Sequence, residues 1–171
     1  MRINLEKITR ASKELIGNIV RTPTIKSHHL SSEIEAEVFL KLENLQYTSS
    51  FKVRGAYISI TRLKNEQKKM GVIAMSAGNH AQAVAWWAKK ERVSATIVMP
   101  EQAPLSKVMK TKGLGANVIL KGRTLNESQT YVSELVNEKK LTLIHPYDDP
   151  NVVIGQGTLG LELIEDVKDL D

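Results

Sequence analysis

The sequence predicts an α/β protein, with a parallel sheet flanked by helices on both faces. Short apolar runs alternate with helical stripes from residue 38 to the end. Gly, Pro and Ser/Asn punctuate the joints between them, and 42% hydrophobic residues supply a core. A chain of 171 residues is one ordinary domain, or one domain with pieces of another, and hides roughly 70% of its unfolded surface.

Residues 4–16 read as a helix, with Asn4 as its cap and Leu5, Ile8, Leu15 and Ile16 on one stripe. An extended stretch surrounds Arg21 to Thr24, and Val38 to Leu42 reads as a strand. Residues 50–64 place Val53, Ala56, Tyr57, Ile60 and Leu63 on one helix face. Gly71 to Met75 is a strand, 79–91 a helix through Ala81, Val84, Ala85 and Ala88, and Ser94 to Met99 a strand stopped by Pro100. Pro104 opens a helix ended by Gly113, Asn117 to Leu120 is a strand, and 125–139 is a helix through Val132, Leu135 and Val136. Leu141 to Ile144 is the fifth strand, and Gly157 to Val167 the last helix, opened by Gly155-Gln156-Gly157-Thr158.

Composition excludes several classes. Without cysteine there is no disulfide scaffold and no Cys-ligated metal, and no metal site is expected. No run of 18 apolar residues exists, and MRINLEKITR lacks the apolar stretch of a secretory signal. A cytoplasmic protein without membrane partners is the expectation. The net charge of +5 raises nucleic-acid binding. However, aromatics make up only 5%, and Lys68-Lys69, Lys89-Lys90 and Lys139-Lys140 each close a helical pattern. Cations there complement the helix dipole, so no nucleic-acid partner is expected.

Ligands of parallel α/β sheets bind beyond the carboxyl ends of the strands. Two loops stand there. In Thr48-Ser49-Ser50-Phe51-Lys52-Val53-Arg54-Gly55-Ala56 a hydroxyl residue is expected to cap the following helix. Lys52 then faces the positive end of the dipole, which favours the neutral amine that Schiff-base chemistry needs. A plain solvated first-turn lysine is an equal reading on physics alone. In Ser76-Ala77-Gly78-Asn79-His80 the N–H groups of a helix start suit an anion, Gly78 permits close approach and Asn79 adds donors and acceptors. Alone, this loop reads more simply as a Ser-capped turn, with His80 a hydrogen-bonded structural histidine.

Together, TSSFKVRGA and SAGNHAQ resemble the pyridoxal-phosphate enzymes of the tryptophan-synthase-β type, and more closely the threonine/serine dehydratase and serine racemase branch. Met99-Pro100-Glu101-Gln102-Ala103-Pro104 with Lys107, His145-Pro146-Tyr147-Asp148-Asp149-Pro150, and Gly155 to Thr158 match in the same order. The resemblance implies pyridoxal 5′-phosphate as cofactor and an amino acid as substrate. It makes Lys52 the Schiff-base lysine and the base for the α-proton. Phe51 lies near the cofactor ring and Asn79 meets its 3′-oxygen. The backbone of Ser76, Ala77, Gly78, Asn79 and His80 receives the substrate carboxylate. The implied reaction is loss of water from serine or threonine, followed by hydrolysis of the aminoacrylate-type product to a 2-oxo acid and ammonia. Serine racemases resemble S-S-G-N-H, so Ala77 favours the dehydratase.

The resemblance also implies a division. Residues 46–145 form a Rossmann-like three-layer small domain, and 1–45 with 146–171 form part of a large domain. The glycine-rich phosphate loop and the partner of the pyridine nitrogen are expected beyond Asp171. Exposed apolar surface would then drive homo-oligomerisation. The competing expectation is a catalytically silent module for folding or oligomerisation.

Overall fold

The computed structural model describes residues 2–170. Helix α1 (Leu5–Leu15) is capped as expected, with the Asn4 side chain accepting the Lys7 N–H, and buries Ala11 and Leu15. Strands β1 (Thr24–Lys26) and β2 (Phe39–Lys41) enclose α2 (His28–Ile34) and pair antiparallel, Ile25 opposite Leu40. A 3-10 turn at Glu43–Leu45 leads to α3 (Lys52–Thr61) and α4 (Asn65–Met70). Then follow β3 (Val72–Met75), α5 (Asn79–Lys90), β4 (Ala95–Met99), α6 (Leu105–Gly113), β5 (Asn117–Leu120), α7 (Leu125–Lys139), β6 (Thr142–Leu143) and α8 (Pro150–Asp166).

Strands β3 to β6 form one parallel sheet in the order β5-β4-β3-β6. The period of two in each strand assigns its side chains to faces. Val72 and Ala74 of β3 and Ala95, Ile97 and Met99 of β4 join α3, α5 and α6 in the main core. Ile73 and Val98 point the other way, against Val132 and Leu135 of α7. Helices on both faces are thus present. Lys68-Lys69, Lys89-Lys90 and Lys139 lie in the last turns of α4, α5 and α7. No helix among the described residues is long and apolar enough to cross a membrane.

The structure corrects several boundaries. The strand expected at 38–42 does not join the parallel sheet; it pairs with β1 in a separate ribbon. The helix expected over 50–64 spans only Lys52–Thr61, and α2 and α4 are additional. The fifth strand contracts to two residues. The last helix begins at Pro150 rather than Gly157. Asp149 caps it by accepting the N–H groups of Asn151 and Val152, and Pro150 occupies the first turn, where a missing N–H costs nothing.

Gly155 to Thr158 are therefore interior to α8, and the glycines serve packing. A Cβ on Gly155 would stand 2.6 Å from the Arg54 carbonyl oxygen and from Gly55 Cα. One on Gly55 would stand 2.7 Å from the Val152 carbonyl oxygen. Helices α3 and α8 thus cross backbone to backbone, and that crossing sets the first turn of α3, where Lys52 sits.

Candidate active site

The Ser76–His80 loop leaves the carboxyl end of β3. Ser76 still donates its N–H to the Val98 carbonyl at 3.1 Å, and α5 starts three residues later. Ser76 Oγ accepts the Gly78 N–H at 3.1 Å, so it closes the loop rather than capping the helix. Helix α5 has no side-chain cap, and its first-turn N–H groups have no carbonyl below them. Asn79 is exposed at this end and Ala77 packs partly against the main core.

Lys52 opens α3, but its segment follows the 3-10 turn rather than a strand. None of the three hydroxyl residues caps it. The N-cap position is Phe51, with helical φ and ψ and no side-chain bond. Ser49 adopts a left-handed φ of 56°, and the buried hydroxyls of Thr48 and Ser50 have no hydrogen-bond partner. The Lys52 amine donates to the Pro146 carbonyl at 2.8 Å and lies 5.1 Å from the centre of the partly exposed Phe51 ring. Burial pushes its pKa below the ordinary lysine value. The direction agrees with the sequence argument, with burial as its cause.

His80 is buried and its Nε2 meets the Ile144 carbonyl at 2.8 Å. A carbonyl only accepts, so Nε2 carries the hydrogen. Nδ1 is then a bare, buried acceptor without a partner. Burial pushes the His80 pKa down to about 4, repulsion from Lys52 and His145 adds to this, and the bond to Ile144 opposes it. The two loops therefore meet on one stretch of backbone, Ile144 to Pro146, which begins the HPYDDP motif.

A second group of residues carried no signal in the sequence reading. Arg54 is fully buried two residues after Lys52. It forms paired bonds to Glu43 (2.7 and 2.9 Å) and to Glu162 (2.6 and 2.9 Å), and another to Thr158 at 3.2 Å. Lys41 bridges Glu162 and Asp166, both at 2.9 Å. Burial alone would raise the Glu43 and Glu162 carboxyls, but the Arg54 guanidinium outweighs it and holds both below their ordinary value. A cavity of about 310 Å³ between α1 and α8 is lined by Leu15, Ile19, Leu161 and Glu165, with neither Lys52 nor Asn79 on its wall.

Residues 15–171 match the family model described as pyridoxal-phosphate dependent enzyme. The chain belongs to this family. It is 53% identical over 166 residues to the catabolic L-threonine dehydratase TdcB of Staphylococcus aureus (strain USA300), which covers 96% of the chain and 48% of the relative. Among solved structures, maize serine racemase superposes with a TM-score of 0.94 at 34% identity, covering all of this chain and 52% of that one. The processed form of threonine deaminase isoform 2 from Solanum lycopersicum gives 0.87 at 35% identity, covering 98% and 48%. The chain thus spans about half the length of the relatives it matches.

The residues present fit what the family's cofactor demands. Lys52 offers a half-buried amine with a depressed pKa, the uncapped start of α5 offers N–H groups to an anion, and Thr48 and Ser50 leave two buried hydroxyls unpaired.

Proposed function

We propose that this chain is the N-terminal part of a pyridoxal-phosphate-dependent L-threonine/L-serine dehydratase, converting the amino acid to a 2-oxo acid and ammonia. The observation that carries the reading is Lys52: a half-buried amine of lowered pKa, held at Pro146 beside the open start of α5. The 53% identity to a threonine dehydratase supports the substrate class.

When bound, the cofactor supplies an electron-withdrawing ring that stabilises negative charge at the substrate α-carbon. The protein's own residues do the rest. Lys52 Nζ is the attachment point and takes the α-proton, and a lowered pKa keeps more of it as free amine near neutral pH. Phe51 presents an apolar ring beside it, and Asn79 supplies the amide for the cofactor's 3′-oxygen. The N–H groups from Ser76 to His80 receive the substrate carboxylate.

Residues 46–145 form the small domain in this reading. All four strands of the parallel sheet lie within it, whereas α1, the β1–β2 ribbon and α8 lie outside. Homo-oligomerisation is part of the same proposal. Leu5 (65% exposed), Leu105 (74%) and Ile164 (67%) present apolar surface on α1, α6 and α8.

The racemase-like reading rests on the likeness to serine racemase structures. Ala77 weighs against it, because a methyl group has no proton to deliver.

The test mixes the chain with pyridoxal phosphate, follows the near-visible absorption, reduces with borohydride and maps the adduct by peptide mass spectrometry. The adduct is expected on Lys52 and absent in Lys52→Ala. L-threonine is then assayed for 2-oxobutanoate and ammonia. Trapping without turnover moves the reading to a silent module, formation of D-serine from L-serine moves it to a racemase, and no Lys52 adduct overturns it.

A further inference from the structure

Both loops of the candidate site end on the same short backbone stretch. Ile144 extends the sheet by donating its N–H to the Ile73 carbonyl at 2.8 Å. Its carbonyl accepts from His80 Nε2, and two residues on the Pro146 carbonyl accepts from Lys52 Nζ, each at 2.8 Å. Proline has no N–H, so nothing can pin Pro146 from its nitrogen. The His145 ring turns forward instead. Its Nδ1 accepts the Asp148 N–H at 2.9 Å and the ring packs in a T-shape with Tyr147, centroids 4.6 Å apart. The ties that precede Pro146 are therefore both on Ile144: the sheet bond fixes its N–H, and His80 is the side chain that holds its carbonyl. The one that follows is Ser59 on Asp149, at 3.0 Å.

We propose that His80 is a positioning residue: by holding the Ile144 carbonyl it sets the place of the Pro146 carbonyl and, through it, of the Lys52 amine. The inference rests on Lys52 being the reacting amine, but the geometry belongs to the chain itself. The groups that face His80 are Lys52 from α3, His145 from the loop and Asp149 from the start of α8. Burial above all keeps the ring neutral, and a neutral ring with Nε2–H is the form that binds a carbonyl while leaving Nδ1 bare.

The test needs no cofactor. Trace labelling of lysines with acetic anhydride, at an alkaline pH where the amines are free, is read by peptide mass spectrometry, with Lys89 and Lys90 as references. His80→Leu removes the donor and His80→Gln keeps an N–H that can reach Ile144. In His80→Leu the relative rate at Lys52 is expected to rise roughly two- to ten-fold, the span of one net hydrogen bond, while His80→Gln restores it. A Lys52 rate unchanged in folded His80→Leu overturns the proposal. Should His80→Leu not fold, long-range proton–nitrogen correlation spectra of the unmutated chain decide. The Nε2–H tautomer is expected, and Nδ1–H overturns the assignment. Loss of cofactor trapping with the His80 effect intact would sink the dehydratase reading and leave this positioning role standing.

Discussion

Arg54 shows how a single side chain couples three parts of the molecule. Its guanidinium ties α3 to the 3-10 turn through Glu43 and to α8 through Glu162. Its value lies mostly in what its loss leaves behind. Glu162 would keep Lys41, but Glu43 would keep only the neutral donors Thr22 and Gln46. An unpaired buried carboxylate is costly, so Arg54→Met is expected to destabilise the fold by about 3–5 kcal/mol. Denaturant unfolding measures this. A loss below about 1 kcal/mol would mean that water reaches Glu43 and the cluster is not sealed. Lys52, two residues earlier, stands in a motif that the sequence singles out. The Arg54 cluster was not, since its carboxylates lie 11 and 108 positions away. Spacing along the chain carries no trace of such partners. The same is true of His80 and Lys52, whose partners are backbone carbonyls with no side-chain signature of their own.

At the scale of elements, the crossing of α3 over α8 is the joint that places the first turn of α3. Gly155→Ala forces a methyl to within 2.6 Å of backbone atoms that no rotamer change can clear. Such overpacking costs about 1–3 kcal/mol, against a helix-propensity gain of about 1 kcal/mol. Gly160 sits in the same helix with nothing within 4 Å of its would-be Cβ. Gly160→Ala is therefore expected to raise thermal stability while Gly155→Ala lowers it. Equal shifts for the two would contradict the backbone contact. Gly155 to Thr158, expected to open the last helix, instead lie inside it. The Asp149-Pro150 pair was the true start signal. The alternation of sheet strands with α5, α6 and α7 was legible, because burial on both sides of a parallel sheet imposes continuous apolar runs. Strand β2 fell within the strand expected at 38–42, but its pairing with β1 was not legible, since three-residue strands carry too little pattern to distinguish pairing partners.

Over the whole molecule, buried groups that resist protonation make acid the natural denaturant. His80 has a folded pKa of about 4 against an ordinary 6.5. Between those values the unfolded chain binds a proton that the folded chain refuses, so stability falls as pH drops through that window. The difference corresponds to about 3 kcal/mol for a fully formed site. The Glu43, Glu162 and Asp166 carboxyls are also held below their ordinary values, Glu43 and Glu162 by Arg54 against the cost of burial, and Asp166 by its bonds to Thr24 and Lys41. Depressed carboxyls stabilise the fold above the unfolded pKa, and that contribution drains away as pH falls further. Two successive losses are therefore expected, the first belonging to a histidine and the second to the ion cluster. Denaturant midpoints measured in steps from pH 7 to 3 separate them. His80→Gln should flatten the profile between pH 6.5 and 4 and leave the lower loss in place, because glutamine keeps the donor to Ile144 but has no proton to refuse. A His80→Gln profile that still falls as steeply in the upper window would place the acid sensitivity elsewhere and remove the argument for a sealed, neutral imidazole behind the Lys52 site.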